Sequence, residues 1–137
     1  MTASKMKNAG AYFENKLGVV PAARSAGASN GTGFDKAGAL SCKLVVLTGA
    51  ATGTPTTQSA TAKIQHSDDN STFADYTPPD GSASVAVTAV DSTGSVDVDL
   101  SGAKQYIRVV MTTAFTGGTT PTLLSAAAVE LAGKAVL

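Results

Sequence analysis

Apolar and polar side chains alternate along most of the chain, and this alternation predicts β-strands rather than helices. Within residues 58–76, QSATAKIQHSDDNSTFADY, the side chains of Ala62, Ile64 and His66 alternate with polar neighbours. Five turn-forming residues follow, and β-forming residues resume at Thr72. A period of two is typical of a half-buried strand, and short polar side chains stabilise tight turns. The segment therefore predicts a strand, a turn and a second strand.

The same pattern recurs through most of the remaining sequence. Clusters of Gly, Ser, Thr, Asp or Pro separate further predicted strands, which cover residues 39–48, 84–90, 95–100, 105–115 and 122–131. Together these segments give seven or eight strands at a spacing of about ten residues. No gap after residue 48 has the helical pattern that a parallel sheet needs between its strands. The predicted fold class is all-β, an antiparallel jelly-roll-like β-sandwich.

A turn at residues 101–104 predicts a hairpin between the strands on either side of it. A turn centred there places Asp97 opposite Arg108 and Asp99 opposite Tyr106. The same register sets Val98 opposite Ile107, so that polar side chains face polar ones and apolar side chains face apolar ones. Agreement on both faces favours this register over one shifted by a single residue.

The first thirty residues differ from the rest, since a weak helical pattern and one short predicted strand are followed by a segment of loop composition. We predict two regions: an N-terminal arm over residues 1–30 and the β-sandwich over residues 31–137. The arm holds too many apolar side chains for a solvated tail, so it is expected to pack on this domain or on a neighbouring chain. The predicted contact residues are Met6, Tyr12, Phe13, Leu17, Val19 and Val20.

Composition narrows the possible partners. The chain has 137 residues, of which 15% are charged, and its formal net charge is zero. A neutral chain has no long-range field to attract nucleic acid or an anionic membrane, so neither is an expected partner. The N-terminus has no apolar signal-peptide segment, and no run approaches the ~20 apolar residues of a membrane span. Cys42 is the only cysteine, and its alternation with apolar neighbours predicts a core residue.

No group of residues predicts catalysis, a metal or another cofactor. His66, Asp68 and Asp69 are the one cluster with possible metal ligands, but their spacing matches no zinc motif, so a turn after a strand is the favoured interpretation. Asp97 and Asp99 share a strand face, yet cross-strand partners explain them better than acid–base chemistry does. We therefore expect neither an enzyme nor a small-molecule substrate.

Three segments, IQHSDDNSTFADY, VDLSGAKQYIRVV and PTLLSAAAVELAG, resemble the decoration, or cement, proteins of tailed-bacteriophage capsids. The resemblance covers about residues 34–133. It implies a jelly-roll or β-sandwich body, a homotrimer and the major capsid protein as partner. It also implies assembly in the host cytoplasm onto the outer surface of an icosahedral head, where the protein would bridge capsid subunits and stabilise the shell.

An alternative interpretation is a receptor- or glycan-binding sandwich module of a phage tail or fibre. The S-D-D-x-S-x-F segment also resembles discoidin-like and carbohydrate-binding sandwiches. Such a module is expected to carry aromatic side chains in the loops at its strand ends. The chain has no tryptophan, and its three tyrosines are far apart in sequence, so the decoration-protein interpretation is favoured.

Overall fold

A computed structural model describes residues 12–81 and 84–132, which form ten β-strands and no α-helix. The strands are β1 Glu14–Arg24, β2 Gly27–Asn30, β3 Phe34–Asp35, β4 Ser41–Thr52, β5 Thr57–Ser67, β6 Ala74–Asp75, β7 Ser84–Val87, β8 Thr93–Asp99, β9 Tyr106–Thr116 and β10 Thr122–Ala132. Within these residues, no helix is long and apolar enough to cross a bilayer.

The strands form two antiparallel sheets. The four-stranded sheet has the order β1-β10-β4-β8. In the six-stranded sheet β9 and β5 are central, with β2 and β3 along the far edge of β9 and β6 and β7 along the far edge of β5. The predicted class, an all-β antiparallel jelly-roll-like sandwich, is confirmed. The predicted strand–turn–strand of residues 58–76 is also confirmed, because β5 pairs with β6 across the turn.

The core lies between the sheets, and strand alternation decides which side chains enter it. In β4, Cys42, Leu44 and Val46 point inward, and Ile107 and Val109 of β9 are buried in the same core. Each fully buried aliphatic side chain of this size contributes about 1.5–3 kcal/mol. Cys42 is thus a core residue, as predicted. Burial, assisted by the charge of Asp97, raises the pKa of its thiol to about 12, so the reactive thiolate is scarce.

The predicted boundary of the N-terminal arm is wrong for residues 14–30, which belong to the sandwich. Strand β1 pairs with β10 from Glu14 to Arg24 with two interruptions, and β2 pairs with β9. Two register shifts in β1, between Leu17 and Val19 and between Val19 and Ala22, allow a segment containing Pro21 to remain in the sheet. Proline has no N–H to donate, so a bulged edge strand suits it. Residues 1–11 lie outside the described part of the chain.

The predicted hairpin of residues 95–100 and 105–115 is also wrong. Strand β8 pairs with β4 in one sheet, whereas β9 pairs with β5 in the other. Asp97 therefore lies opposite Lys43, and Arg108 lies opposite Gln65. Matching polarity across a short turn could not exclude this arrangement, because each strand finds an equally well-matched partner elsewhere.

The two sheets approach each other closely at the edge where β1 lies beside the end of β2. The backbone N–H of Gly31 donates to the carbonyl oxygen of Val109 at 2.7 Å. A Cβ atom on Gly31 would overlap the carbonyl oxygen of Gly18 in β1. This contact requires glycine because backbone meets backbone directly, and it joins β1 to the edge of the six-stranded sheet.

Candidate interaction surface and polar cleft

The outer face of the four-stranded sheet is apolar where three strands meet. Alternation directs Val45 and Leu47 of β4 outward, opposite the inward-pointing core residues. Leu47 lies opposite Ala126 of β10, and Ala128 lies between Val45 and Leu17 of β1. We call this surface the apolar face, and its residues are Leu17, Val45, Leu47, Leu124, Ala126 and Ala128.

The three leucines of the apolar face are about half exposed. Leu17 is 58% exposed, Leu47 46% and Leu124 45%. Leu47 and Leu124, with Pro21, Gly49 and Ala126, line a shallow depression of about 280 Å³. Apolar side chains grouped around a depression are typical of a protein contact surface, whereas single exposed leucines are not.

Polar side chains border the apolar face on two sides. Toward the start of β1, Glu130, Lys43 and Asp97 lie side by side on neighbouring strands. Toward the edge of the sheet, Ser95 and Thr93 of β8 lie beside Val45 and Leu47. An apolar centre with a polar border is the usual composition of a specific protein interface.

The outer face of the six-stranded sheet is polar and internally paired. Lys63 Nζ lies 2.9 Å from Asp75 Oδ2, and Gln65 Nε2 donates to Asp75 Oδ1 at 2.8 Å. Arg108 donates twice to Gln65 Oε1, at 2.9 and 2.7 Å, and its guanidinium lies 4.4 Å from the centre of the Phe73 ring. These four polar side chains pair with one another, so the two outer faces of the sandwich differ in chemistry.

The predicted contact residues have different positions in the structure. Leu17 is part of the apolar face, and Val20, 58% exposed, follows it along β1. Tyr12 and Phe13 are about half exposed just before β1 begins. Met6 lies outside the described residues.

The prediction that Val19 is a contact residue is wrong. Only 3% of its surface is exposed, and it packs in the core. Strict alternation would place Val19 on the same side as Leu17. The register shift between these two residues instead turns Val19 inward, opposite Ala127. A bulge of this kind leaves no clear mark in the sequence.

Sequence reasoning did not identify Leu47 and Leu124 as surface residues. One signal was present in the run Leu44-Val45-Val46-Leu47, where the odd-numbered and the even-numbered positions are both apolar. A strand with apolar side chains on both faces is expected to be buried by other protein surface on both sides. The structure covers one of these sides with the second sheet and leaves the other as the apolar face.

The aspartates of the turn after β5 are engaged in local structure. Asp69 Oδ1 accepts hydrogen bonds from the backbone N–H groups of Thr72 and Ser71 and from Ser67 Oγ, at 2.8–3.0 Å. These hydrogen bonds lower the pKa of Asp69 to about 2, and the bond from Thr72 has the largest effect. Asp68 Oδ2 lies 3.2 Å from Lys104 Nζ. The described residues contain no group of three or more His, Cys, Asp or Glu side chains arranged to hold a metal.

His66 connects this turn to the loop before β9. Its Nδ1 accepts a hydrogen bond from the backbone N–H of Lys104 at 3.2 Å, and its ring lies 5.1 Å from that of Tyr76. Partial burial lowers the pKa of His66, the charge of Lys104 lowers it further, and Asp68 opposes the shift. The hydrogen bond from Lys104 requires a Nδ1 without a proton, so the contact belongs to neutral His66.

We expect the protein to lose stability as the pH falls from 7.5 to 5. The pKa of His66 is lower in the folded state than when unfolded, so the unfolded chain binds the proton more readily between the two values. The stabilisation contributed by neutral His66 is therefore complete above the pKa of His66 in the unfolded chain. It is lost as the pH falls through the pKa of His66 in the folded protein. The carboxyl groups with lowered pKa titrate below this window. Melting temperatures measured from pH 7.5 to pH 5 check this expectation. The melting temperature of a His66→Gln chain should change less with pH than that of the natural chain. An equal change in the two chains would contradict the role of His66.

A second concave region lies at one end of the six-stranded sheet. It is a cleft of about 500 Å³ between the start of β5, the end of β9 and the segment after β7, and it is lined by Thr56, Thr57, Gln58, Ser59, Thr88, Ala114, Phe115 and Thr116. None of the lining side chains is charged. The cleft and the apolar face share no residue.

Comparisons with known proteins give the fold and no family. No protein-family profile and no curated protein matches the chain. Among solved structures, the PBSX exported protein XepA superposes with a TM-score of 0.55 and 19% identity, over 90% of this chain and 39% of XepA. Weaker superpositions include infectious bursal disease virus Gt strain (TM-score 0.46, 10% identity, 90% and 33% covered) and a family 22 carbohydrate-binding module of Clostridium thermocellum Xyn10B (0.42, 12%, 92% and 89%). At such identities the likeness to XepA shows the sandwich fold alone.

Proposed function

We propose that the protein is a structural virion component that decorates and stabilises an icosahedral phage head. The observation that carries this proposal is the apolar face, an exposed apolar surface with a polar border on an otherwise well-paired sandwich. The resemblance of the sequence to capsid decoration proteins supports the major capsid protein as the partner. The polar outer face of the six-stranded sheet is suited to face solvent, which would orient the protein on the outside of the shell.

The size of the apolar face indicates how the attachment is built. It crosses three strands spaced about 4.8 Å apart, and its longest stretch is the five residues of β10 from Leu124 to Ala128, so it covers roughly 15 Å by 15 Å. A stable interface takes about 800 Å² from each partner, so further surface must contribute. Val20, Tyr12 and Phe13 are exposed apolar side chains on or next to β1 and would extend the contact. A homotrimer would multiply a modest contact by three.

Stabilisation of the shell then follows from mass action. A protein that binds only the assembled lattice favours that lattice in proportion to the sites it fills. Contact across neighbouring capsid subunits would add to this by opposing their separation. No reaction chemistry is required, so the proposal assigns no catalytic residue.

We expect replacement of Leu47 and Leu124 by aspartate to abolish attachment to undecorated, expanded heads of the phage that encodes the chain. Both side chains are about half exposed, so their loss should leave the core intact, whereas two buried carboxylates at the contact would be strongly unfavourable. Binding should weaken at least about a hundredfold. Co-sedimentation with heads measures it, and the thermal stability of the heads gives the functional readout.

Leu40→Asp is the matched control for Leu47→Asp alone, because Leu40 is similarly exposed but lies before β4, where its backbone hydrogen-bonds to Ala132 and Leu100 and to no residue of the apolar face. The control should bind heads as the natural chain does. Equal loss in both variants would show a general effect of added charge and would count against the apolar face. Heads that gain no heat resistance when saturated would overturn the proposed function itself.

A further inference from the structure

We propose that the cleft at the end of the six-stranded sheet is a binding site for a neutral carbohydrate. The proposal does not depend on attachment to a capsid, because the cleft and the apolar face share no lining residue and lie on different sheets. A protein held through its four-stranded sheet would keep the cleft open to solvent.

The walls of the cleft are held in place before any ligand arrives. Thr57 and Thr116 lie opposite each other on β5 and β9, and their hydroxyl oxygens are 2.6 Å apart. The backbone N–H of Thr56 donates to the carbonyl oxygen of Thr116 at 2.7 Å. Gln58 Nε2 donates to the carbonyl oxygen of Thr88 at 2.8 Å, which ties the segment after β7 to β5. A site fixed in this way loses little conformational freedom on binding.

Several polar atoms of the cleft remain available for a ligand. The hydroxyl groups of Thr56, Ser59 and Thr88 and the Oε1 atom of Gln58 have no hydrogen-bond partner within residues 12–81 and 84–132. A hydroxyl group can donate and accept at the same time. Sugar hydroxyls have the same property, so the cleft and a carbohydrate can pair their hydroxyls in either direction.

The composition of the cleft excludes other ligand classes. No lysine, arginine or histidine lines it, so phosphate and carboxylate groups would lose their hydration without a cationic partner. Ala114 and Phe115 are the only apolar residues of the cleft lining, so a lipid chain would lie against six polar side chains. The half-buried ring of Phe115 can pack against the apolar face of a sugar ring, as aromatic side chains do in mixed polar and apolar sites. The volume of about 500 Å³ falls within the range of small-molecule sites.

The test is an array of neutral and acidic oligosaccharides, followed by saturation-transfer NMR with the strongest neutral binder. We expect neutral glycans to bind and uronic-acid oligosaccharides not to bind. Replacing Ser59 by alanine together with Thr88 by valine removes two hydroxyls at little cost in volume and should weaken binding about tenfold or more. The matched control is Thr61→Val with Thr112→Val, a pair on the same two central strands outside the cleft, and it should bind normally.

Three results would overturn the proposal: no glycan binding, binding only to acidic glycans, or equal binding by the cleft and control variants. Both double variants are expected to melt at the same temperature as the natural chain. This measurement distinguishes the loss of contacts with the glycan from a loss of folding. The Leu47→Asp, Leu124→Asp chain should still bind the glycan. Failure of the cleft would therefore leave attachment to heads unaffected, and failure of attachment would leave the cleft unaffected.

Discussion

A chain that lacks residues 1–20 is expected to be unfolded or far less stable than the natural chain. The deletion removes the first seven residues of β1, which pair with the end of β10, and it removes Val19 from the core. It also uncovers the edge of β10 beside the buried residues Val129 and Leu131. Losing one buried valine and the pairing of seven of the eleven residues of β1 costs several kcal/mol, a large part of the 5–15 kcal/mol that holds a typical domain together.

Circular dichroism during thermal melting checks this expectation, and a chain lacking residues 1–11 is the matched control. The control keeps all ten strands of the described residues, so it should melt well above the chain that lacks residues 1–20. If the two truncated chains melted alike, residues 12–20 would be an arm outside the cooperative fold, and Val19 would be free to contact a partner. The structure leads us to expect the opposite.

Replacing Gly31 by alanine is expected to destabilise the sandwich by about 3 kcal/mol, the upper end of the range for overpacking. The added Cβ would overlap the carbonyl oxygen of Gly18 and lie 3.0 Å from the carbonyl oxygen of Val109. Both neighbours are backbone atoms, which cannot move aside without displacing a strand. The expected result is separation of β1 from the edge of the six-stranded sheet, with loss of the hydrogen bond from Gly31 to Val109.

Gly102→Ala is the control for this substitution, because a Cβ there meets only the hydroxyl of Tyr76, at an ordinary 3.6 Å. Urea unfolding of the two variants measures the difference in the free energy of unfolding. A Gly31→Ala chain as stable as Gly102→Ala would show that the sheets do not approach each other as described. The apolar face would then lose the support of β1, since Leu17 depends on the position of that strand.

The sequence by itself determined the fold class and the positions of the main strands. Alternation of side chains is a local property of a strand, so it placed β4, β5, β9 and β10 within a few residues of their observed bounds. It also placed Cys42 and Ile64 in the core, since each lies on the apolar side of its own strand. The turn after β5 was predictable for the same reason, because Asp69 and its neighbours fold it through bonds spanning two or three residues.

Only the tertiary structure decided which strands pair and which outer face remains uncovered. Alternation does not specify the partner of a strand, so Asp97 matched Arg108 in the sequence as well as it matches Lys43 in the sheet. The bulge after Leu17 reverses the side on which later residues of β1 lie, which is why Val19 is buried while Val20 is exposed. The apolar face and the cleft depend on these pairings between distant segments. Their residues become neighbours only when the sheets form, because no local pattern brings together parts of the chain so far apart in sequence.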